Sequence, residues 1–243
     1  MTVKILITRP SHSANEFAEL LHARIGPDVP LILSPLIEIC HLSPKIPTEG
    51  VQTLVFTSAH AVRAFAALKR ERHFTCYVVG LATGDAAREA GFEPIEGGGT
   101  AQSLAEKLLK DGPAEPILYL RGNHIAFDLA DALAQSGTDF RQTVVYDQRE
   151  RHLTEEAQTT LATASGVVLP LFSPRSAKLF FDNQTWRGRL FVGAMSENVA
   201  RNVPEESVAM LSTAQSPSAS AMLDVVEQLW TSANRLEGKS SAK

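Results

Sequence analysis

Short apolar runs of strand length alternate along the chain with segments whose apolar residues recur at helical spacing. The runs are KILI (4–7), LVF (54–56), YVV (77–79), ILYL (117–120), VVLPLF (167–172), LFV (190–192) and VAML (208–211). Near-continuous apolar runs, as opposed to strictly alternating ones, predict strands buried on both faces, as in a parallel sheet covered by helices. Between them Phe17, Leu20 and Leu21, and again Leu104, Leu108 and Leu109, fall on one helical face, each set with a Ser or Thr upstream as an expected cap. The fold class is α/β.

Four local patterns occur in order and then occur again. ITRPSHSANEFAELLHARIG (7–26) is echoed by YLRGNHIAFDLADALAQSG (119–137), VFTSAHAVRAF (55–65) by PLFSPRSAKLF (170–180), VVGLATGDAAREAG (78–91) by FVGAMSENVARNV (191–203), and GGGTAQSLAEKLL (97–109) by STAQSPSASAMLDVVEQL (212–229). The repeated order predicts a duplicated α/β unit, with a sequence boundary near Asp111 to Glu115 where Gly and Pro interrupt the pattern. LILSPLIEIC (31–40) and RQTVVYDQRE (141–150) fit neither repeat and read as paired extended connectors. Residues 237–243, EGKSSAK, read as a flexible polar tail.

The length of 243 residues favours two domains, and the ordinary apolar and charged content supports packed cores. A net charge of −4 gives no electrostatic case for nucleic acid or an anionic membrane surface. Cys40 and Cys76 are far apart and in no metal-like spacing, which reads as a reduced, cytoplasmic chain. Apolar runs are too short to span a bilayer.

Several chemistries lack their spacings. No G-x-x-x-x-G-K-S/T is present, and Gly97 to Gly99 lacks the third Gly of a dinucleotide fingerprint. The seven histidines never pair at helical spacing, and no G-x-S-x-G supplies a nucleophile elbow. Hydroxyl-bearing turns at the ends of strands remain, the place where open α/β sheets bind ligands. A helix start there offers free N–H groups and a positive dipole end to a carboxylate, and Ser or Thr adds a donor. Ser58, Thr83, Ser173 and Ser196 fit this description. Taken singly each is more often just a helix cap; repetition in both halves makes them candidates. Arg9 and Arg121 stand at strand ends, where a guanidinium could take a carboxylate bidentately or bridge elsewhere. Tyr146 in the second connector could donate from its phenol or pack an edge, and His60 lies beside Ser58 at a helix start.

In order and spacing, I-T-R-P, V-F-T-S-A-H-A-V, V-V-G-x-A-T, L-Y-L-R-G, V-V-Y and F-S-P-R-S-A together resemble the uroporphyrinogen-III synthase family over nearly the whole chain. The resemblance implies two related parallel-sheet α/β domains joined by a two-stranded β-ladder built from the two connectors. Residues 1–36 with 149–236 would form one domain and 41–143 the other. It implies a hydro-lyase that cyclises hydroxymethylbilane, a linear tetrapyrrole with many carboxylate arms, inverting the terminal pyrrole and losing water, in haem biosynthesis. No cofactor or metal is implied, and a monomer is expected. On this likeness Tyr146 matches the tyrosine of V-V-Y, Thr83 the threonine of the V-G-x-A-T turn, and Ser58 and Ser173 the serines after F-T-S and F-S-P. Ser196 matches less closely, because Ala194 and Met195 replace the usual Pro-Thr, and Ala126 stands where many relatives carry Arg. The competing reading is a non-catalytic two-domain binder that closes on a small anion; Tyr146 is the feature such a binder would not need.

Overall fold

The computed structural model of the protein describes residues 3–125 and 127–240. The elements in chain order are β1 (Val3–Ile7), α1 (Ser11–Ile25), β2 (Leu31–Leu33), β3 (Ile37–His41), β4 (Thr53–Phe56), α2 (Ala59–Leu68), β5 (Thr75–Val78), α3 (Leu81–Glu89), β6 (Pro94–Glu96) and α4 (Ala101–Asp111). They continue with β7 (Ile117–Gly122), α5 (Leu129–Leu133), β8 (Phe140–Glu150), α6 (Glu155–Thr163), β9 (Gly166–Leu171), α7 (Pro174–Asn183), β10 (Arg189–Ala194), α8 (Glu197–Ala200), β11 (Met210–Thr213) and α9 (Ala219–Ser240). Thr100 caps α4 through a reciprocal box with Ser103. The Ser or Thr cap expected for α1 is absent: Pro10 holds that position without a side-chain bond, its fixed φ suiting it to a helix start.

The chain forms two compact units, one comprising Ile39–Arg149 and the other the chain on either side of it. The flanking unit contains a five-stranded sheet in the order β11-β10-β9-β1-β2, parallel at every pairing. Alternation along β1 sends Val3, Ile5 and Ile7 to a core with Phe17, Leu21, Met222 and Val226 of α1 and α9. Leu6 faces the other way, into a core with Leu161, Phe180 and Val199 of α6, α7 and α8. Both faces of the sheet are covered, which is why its strands read as unbroken apolar runs.

The other unit holds a six-stranded sheet in the order β3-β8-β7-β4-β5-β6. Leu54, Phe56, Cys76 and Val78 pack with Val62 and Phe65 of α2 and Ala86 and Ala87 of α3. Val55, Tyr77, Ile117 and Tyr119 face Leu104 and Leu108 of α4 and Leu129 of α5.

Taken from β2, the first sheet runs β2-β1-β9-β10-β11; taken from β8, the second runs β8-β7-β4-β5-β6, the same order of equivalent echoes. Each sheet therefore joins the leading strand of one half of the chain to three strands of the other half. The duplication in sequence is folded with its leading strands exchanged.

Two expectations are corrected. Residues 31–40 are not one strand, because Pro35, which has no N–H to offer a ladder, separates β2 in one sheet from β3 in the other, and Ser34 there accepts from the Thr154 N–H at 2.8 Å. From the two connector segments, β3 and β8 are neighbouring strands of the six-stranded sheet. The tail expected from 237 is helical as far as Ser240, a single interior Gly238 costing only about 1 kcal/mol against Ala; residues 241–243 lie outside the described residues.

Burial pushes the Cys76 thiol up to about 12, whereas Cys40 is half-buried on β3. In native protein at pH 8, a thiolate-directed reagent is expected to label Cys40 and leave Cys76 untouched until denaturant is added, as peptide mass spectrometry would read. Equal labelling of both in the folded state would contradict the packing of β5.

Candidate functional site

The carboxyl ends of parallel strands are where a ligand finds helix starts and unpaired donors. In the Ile39–Arg149 unit these ends gather Thr57 and Ser58 after β4, Gly80 after β5, Arg121 and Gly122 at the end of β7, and Tyr146 on β8. Thr57, Tyr119, Gly122, His124 and Tyr146 line a cavity of about 230 Å³, closed on its apolar side by residues including Val79 and Phe127.

The placement of Tyr146 follows from strand register. β7 and β8 pair residue for residue from Ile117↔Phe140 to Arg121↔Val144, and then Gly122 pairs with Tyr146, leaving Val145 as an extra residue. Such a bulge re-aims the side chains beyond it, and here Val145 and Tyr146 both pack into the core with α2 and α3 despite being adjacent. The phenol ring lies directly over Gly122: a Cβ there would come within 2.5 Å of Tyr146 Cζ and 2.8 Å of its hydroxyl oxygen. Only glycine lets β7 run beneath that ring. The imidazole of His60 lies 5.7 Å away between ring centroids, tilted by 57°. Tyr146 is 4 % exposed, and among the described residues no hydrogen-bond partner occupies its hydroxyl. A buried phenol with an unspent O–H at the mouth of a cavity can donate to whatever enters.

Two further hydroxyls are joined: the Tyr119 hydroxyl lies 2.8 Å from Thr57 Oγ1. Burial holds the Tyr119 phenol above its ordinary range, partly offset by that hydrogen bond. Arg121 is tied locally, donating to Gln142 Oε1 at 2.8 Å and to the Gly122 carbonyl at 2.9 Å.

Ser58 caps α2, its Oγ accepting from the His60 N–H at 3.2 Å, so its hydroxyl hydrogen is left to donate. Thr83 is buried within the first turn of α3, and the cap position belongs to Gly80. Gly80 is closely packed: a Cβ there would stand 3.0 Å from the Gly99 Cα, in the glycine loop after β6.

In the flanking unit, Arg9 follows β1 with its guanidinium stacked 3.9 Å over the Phe172 ring and 5.9 Å from that of Phe17. Burial lowers its pKa, an effect opposed by the charge of Glu16. Ser173 caps α7, accepting from the Ser176 N–H at 3.1 Å, and meets the Ser176 hydroxyl at 2.9 Å. Ser196 precedes only the four-residue α8 and makes no side-chain cap bond. Arg9 and Ser173 thus lie at the ends of adjacent strands β1 and β9, with Ser196 after β10.

The sequence pattern singles out Tyr146 but not its cavity partners Thr57, Tyr119, Gly122 and His124. A Thr directly before a capping Ser and a Gly at a strand end are the signals that could have found two of them. A larger, more open hollow of about 850 Å³ lies at the starts of β5 and β6. It gathers none of these residues, and Arg72 in it is already bound to the carbonyls of Ala90 and Lys69. Among the described residues no group of His, Cys, Asp and Glu could hold a metal ion, and no helix is long and apolar enough to cross a membrane.

The family model described as Uroporphyrinogen-III synthase HemD matches residues 15–224. A uroporphyrinogen-III synthetase from Helicobacter pylori 26695 is similar in structure, with a TM-score of 0.68 at 21% identity, the match covering 94% of this chain and 100% of that one. A mutant uroporphyrinogen III synthase from Thermus thermophilus is similar at a TM-score of 0.55 and 16% identity, covering 95% of this chain and 100% of that one. Both likenesses show the fold. No curated protein matches the chain.

Replacing Gly122 by Ala is expected to push the Tyr146 ring off β7, because the added methyl would meet ring atoms on a strand fixed by its neighbours. A crystal structure of the variant checks this: a displaced ring is the expected result, and an unmoved ring would contradict the steric account.

Proposed function

Since the chain belongs to the uroporphyrinogen-III synthase family, we propose that it converts hydroxymethylbilane to uroporphyrinogen III and water, a lyase acting in haem biosynthesis as a cytoplasmic monomer. The observation that carries the catalytic assignment is the buried Tyr146 phenol, aimed over Gly122 into a cavity with its O–H unspent.

Electron push from the pyrrole nitrogen expels the hydroxyl of the bilane as water and leaves an azafulvene cation. Tyr146 acts as the acid, giving its phenol proton to the departing oxygen and regaining one when the terminal pyrrole loses its proton on final ring closure; a phenol suffices because the substrate supplies most of the driving force. The substituted carbon of the terminal ring then attacks the cation, giving a spiro intermediate that fragments and recloses with that ring inverted. Closure without inversion happens spontaneously, so the protein's larger task is orientation: holding the two ends so that the substituted carbon is the one within reach. Carboxylate arms are held by the hydroxyls of Ser58, Thr83, Ser173 and Ser196, by the helix starts beside Ser58 and Ser173, and by Arg9 and Arg121, with His60 beside the Tyr146 ring. Arg9 keeps its N–H edges for a carboxylate because its face is already satisfied by Phe172. Residues 1–36 with 149–236 and residues 41–143 are proposed as the two domains.

Freshly generated hydroxymethylbilane, incubated with the protein and then oxidised and chromatographed, is expected to give the type III porphyrin, whereas buffer alone gives type I. Type I alone would end this reading and leave the non-catalytic binder. Tyr146→Phe is expected to lower the rate by ~10²-fold, the lower end for a positioned acid. Replacing Ser58, Thr83, Ser173 or Ser196 by Ala is expected to cost about 0.5–1.5 kcal/mol each, because backbone donors remain at the same turns. A larger loss at any of these hydroxyls than at Tyr146 would reassign the roles.

A further inference from the structure

The Tyr119–Thr57 pair has no part in the scheme above, yet both residues line the cavity that Tyr146 lines. Tyr119 sits on β7, 2 % exposed and within the core that faces α4 and α5. Its ring lies tilted by 39° to that of Phe140, with centroids 6.0 Å apart. A phenylalanine would satisfy that packing equally well, so the hydroxyl has to be explained by what it touches, which is Thr57 Oγ1 at 2.8 Å.

A phenol is a stronger donor than an aliphatic alcohol, and burial holds the Tyr119 phenol above its ordinary range. Either hydroxyl can be the donor across this contact; the more acidic phenol is assigned as donor and Thr57 as acceptor. A threonine hydroxyl that accepts still carries its own hydrogen, which is then left to point away from Tyr119 toward the cavity that Thr57 lines. Thr57 also stands immediately before Ser58, the cap of the ten-residue helix α2, so an oxygen bound at Thr57 lies at the positive end of that helix dipole. Donor direction and dipole both favour an anionic oxygen.

We propose that Thr57 binds a carboxylate arm of the substrate beside Tyr146, and that Tyr119 is a positioning residue that fixes the direction of the Thr57 hydroxyl. The proposal rests on the synthase reading of the same cavity. An anchor for a carboxylate that does not react contributes equally to the ground and transition states, so its loss raises KM and leaves kcat in place. That separates it from Tyr146, whose loss lowers kcat.

Steady-state kinetics with hydroxymethylbilane, read as the type III porphyrin, tests this on the full chain. Tyr119→Phe, which keeps the ring, is expected to raise KM by roughly 3- to 10-fold, the range for one hydrogen bond, with kcat within about 2-fold of wild type. Thr57→Val is expected to raise KM at least as much, and Thr57→Ser to restore it. The double variant Tyr119→Phe/Thr57→Val is expected to be no worse than Thr57→Val alone, since both act through one hydroxyl. Unchanged KM in Tyr119→Phe, a fall confined to kcat, or additive losses in the double variant would each overturn the proposal while leaving the synthase reading standing. Failure of the wild-type chain to form type III porphyrin would instead remove that reading and the proposal with it.

Discussion

The packing of the Tyr146 ring onto the bare backbone of Gly122 is the constraint on which the site depends. It needs three things at once: a glycine at the end of β7, an aromatic residue on β8, and one extra residue, Val145, that shifts the register so that the two meet. Without the bulge, Gly122 would face Val145 by continuation of the pairing, and the next side chain would point to the other side of the sheet. The phenol is thereby fixed by covalent geometry and sheet hydrogen bonds rather than by a hydrogen bond of its own, which leaves the O–H for a ligand.

The rest of the unit serves this arrangement. β4, β5 and β7 are parallel and buried on both faces, so their carboxyl ends are rigid and their side chains cannot drift. The β4 end supplies Thr57 and Ser58, and α2 begins there with His60 against the Tyr146 ring. The glycine loop after β6 lies close against Gly80, which caps α3, and Thr83 is buried in the first turn of that helix. In the flanking unit the equivalent strand ends carry Arg9, Ser173 and Ser196. Duplication has left the same frame twice, but the phenol occurs in only one copy.

Much of the fold was legible because parallel strands covered on both faces must be apolar throughout, and the runs at 4–7, 54–56, 77–79, 117–120, 167–172 and 190–192 are. The ordered echoes likewise carried the duplication, and the shared strand order of the two sheets is its structural counterpart. Periodicity alone did not give the pairing between distant segments, for which the family resemblance supplied the expectation. The exchange of β1 and β7 between sheets, the split of 31–40 at Pro35, and the place of β3 beside β8 are all choices of partner, which local periodicity does not encode. Tyr146 could be singled out by resemblance, but Gly122 could not, since its role exists only across a strand pairing of 24 residues' separation with a bulge inside it. Tyr119 read as one more apolar position in ILYL, and its hydroxyl acquires meaning only beside Thr57.

Gly122 matters through Tyr146 and through nothing else. A double-mutant cycle on the rate of type III formation tests this directly, using Gly122→Ala, Tyr146→Phe and the pair. The account predicts that Gly122→Ala alone falls to about the level of Tyr146→Phe, and that the double variant is no slower than either, because the displaced ring and the missing hydroxyl remove the same interaction. Losses that multiply in the double variant would show that Gly122 acts on the reaction by a route independent of the phenol, and would contradict the account.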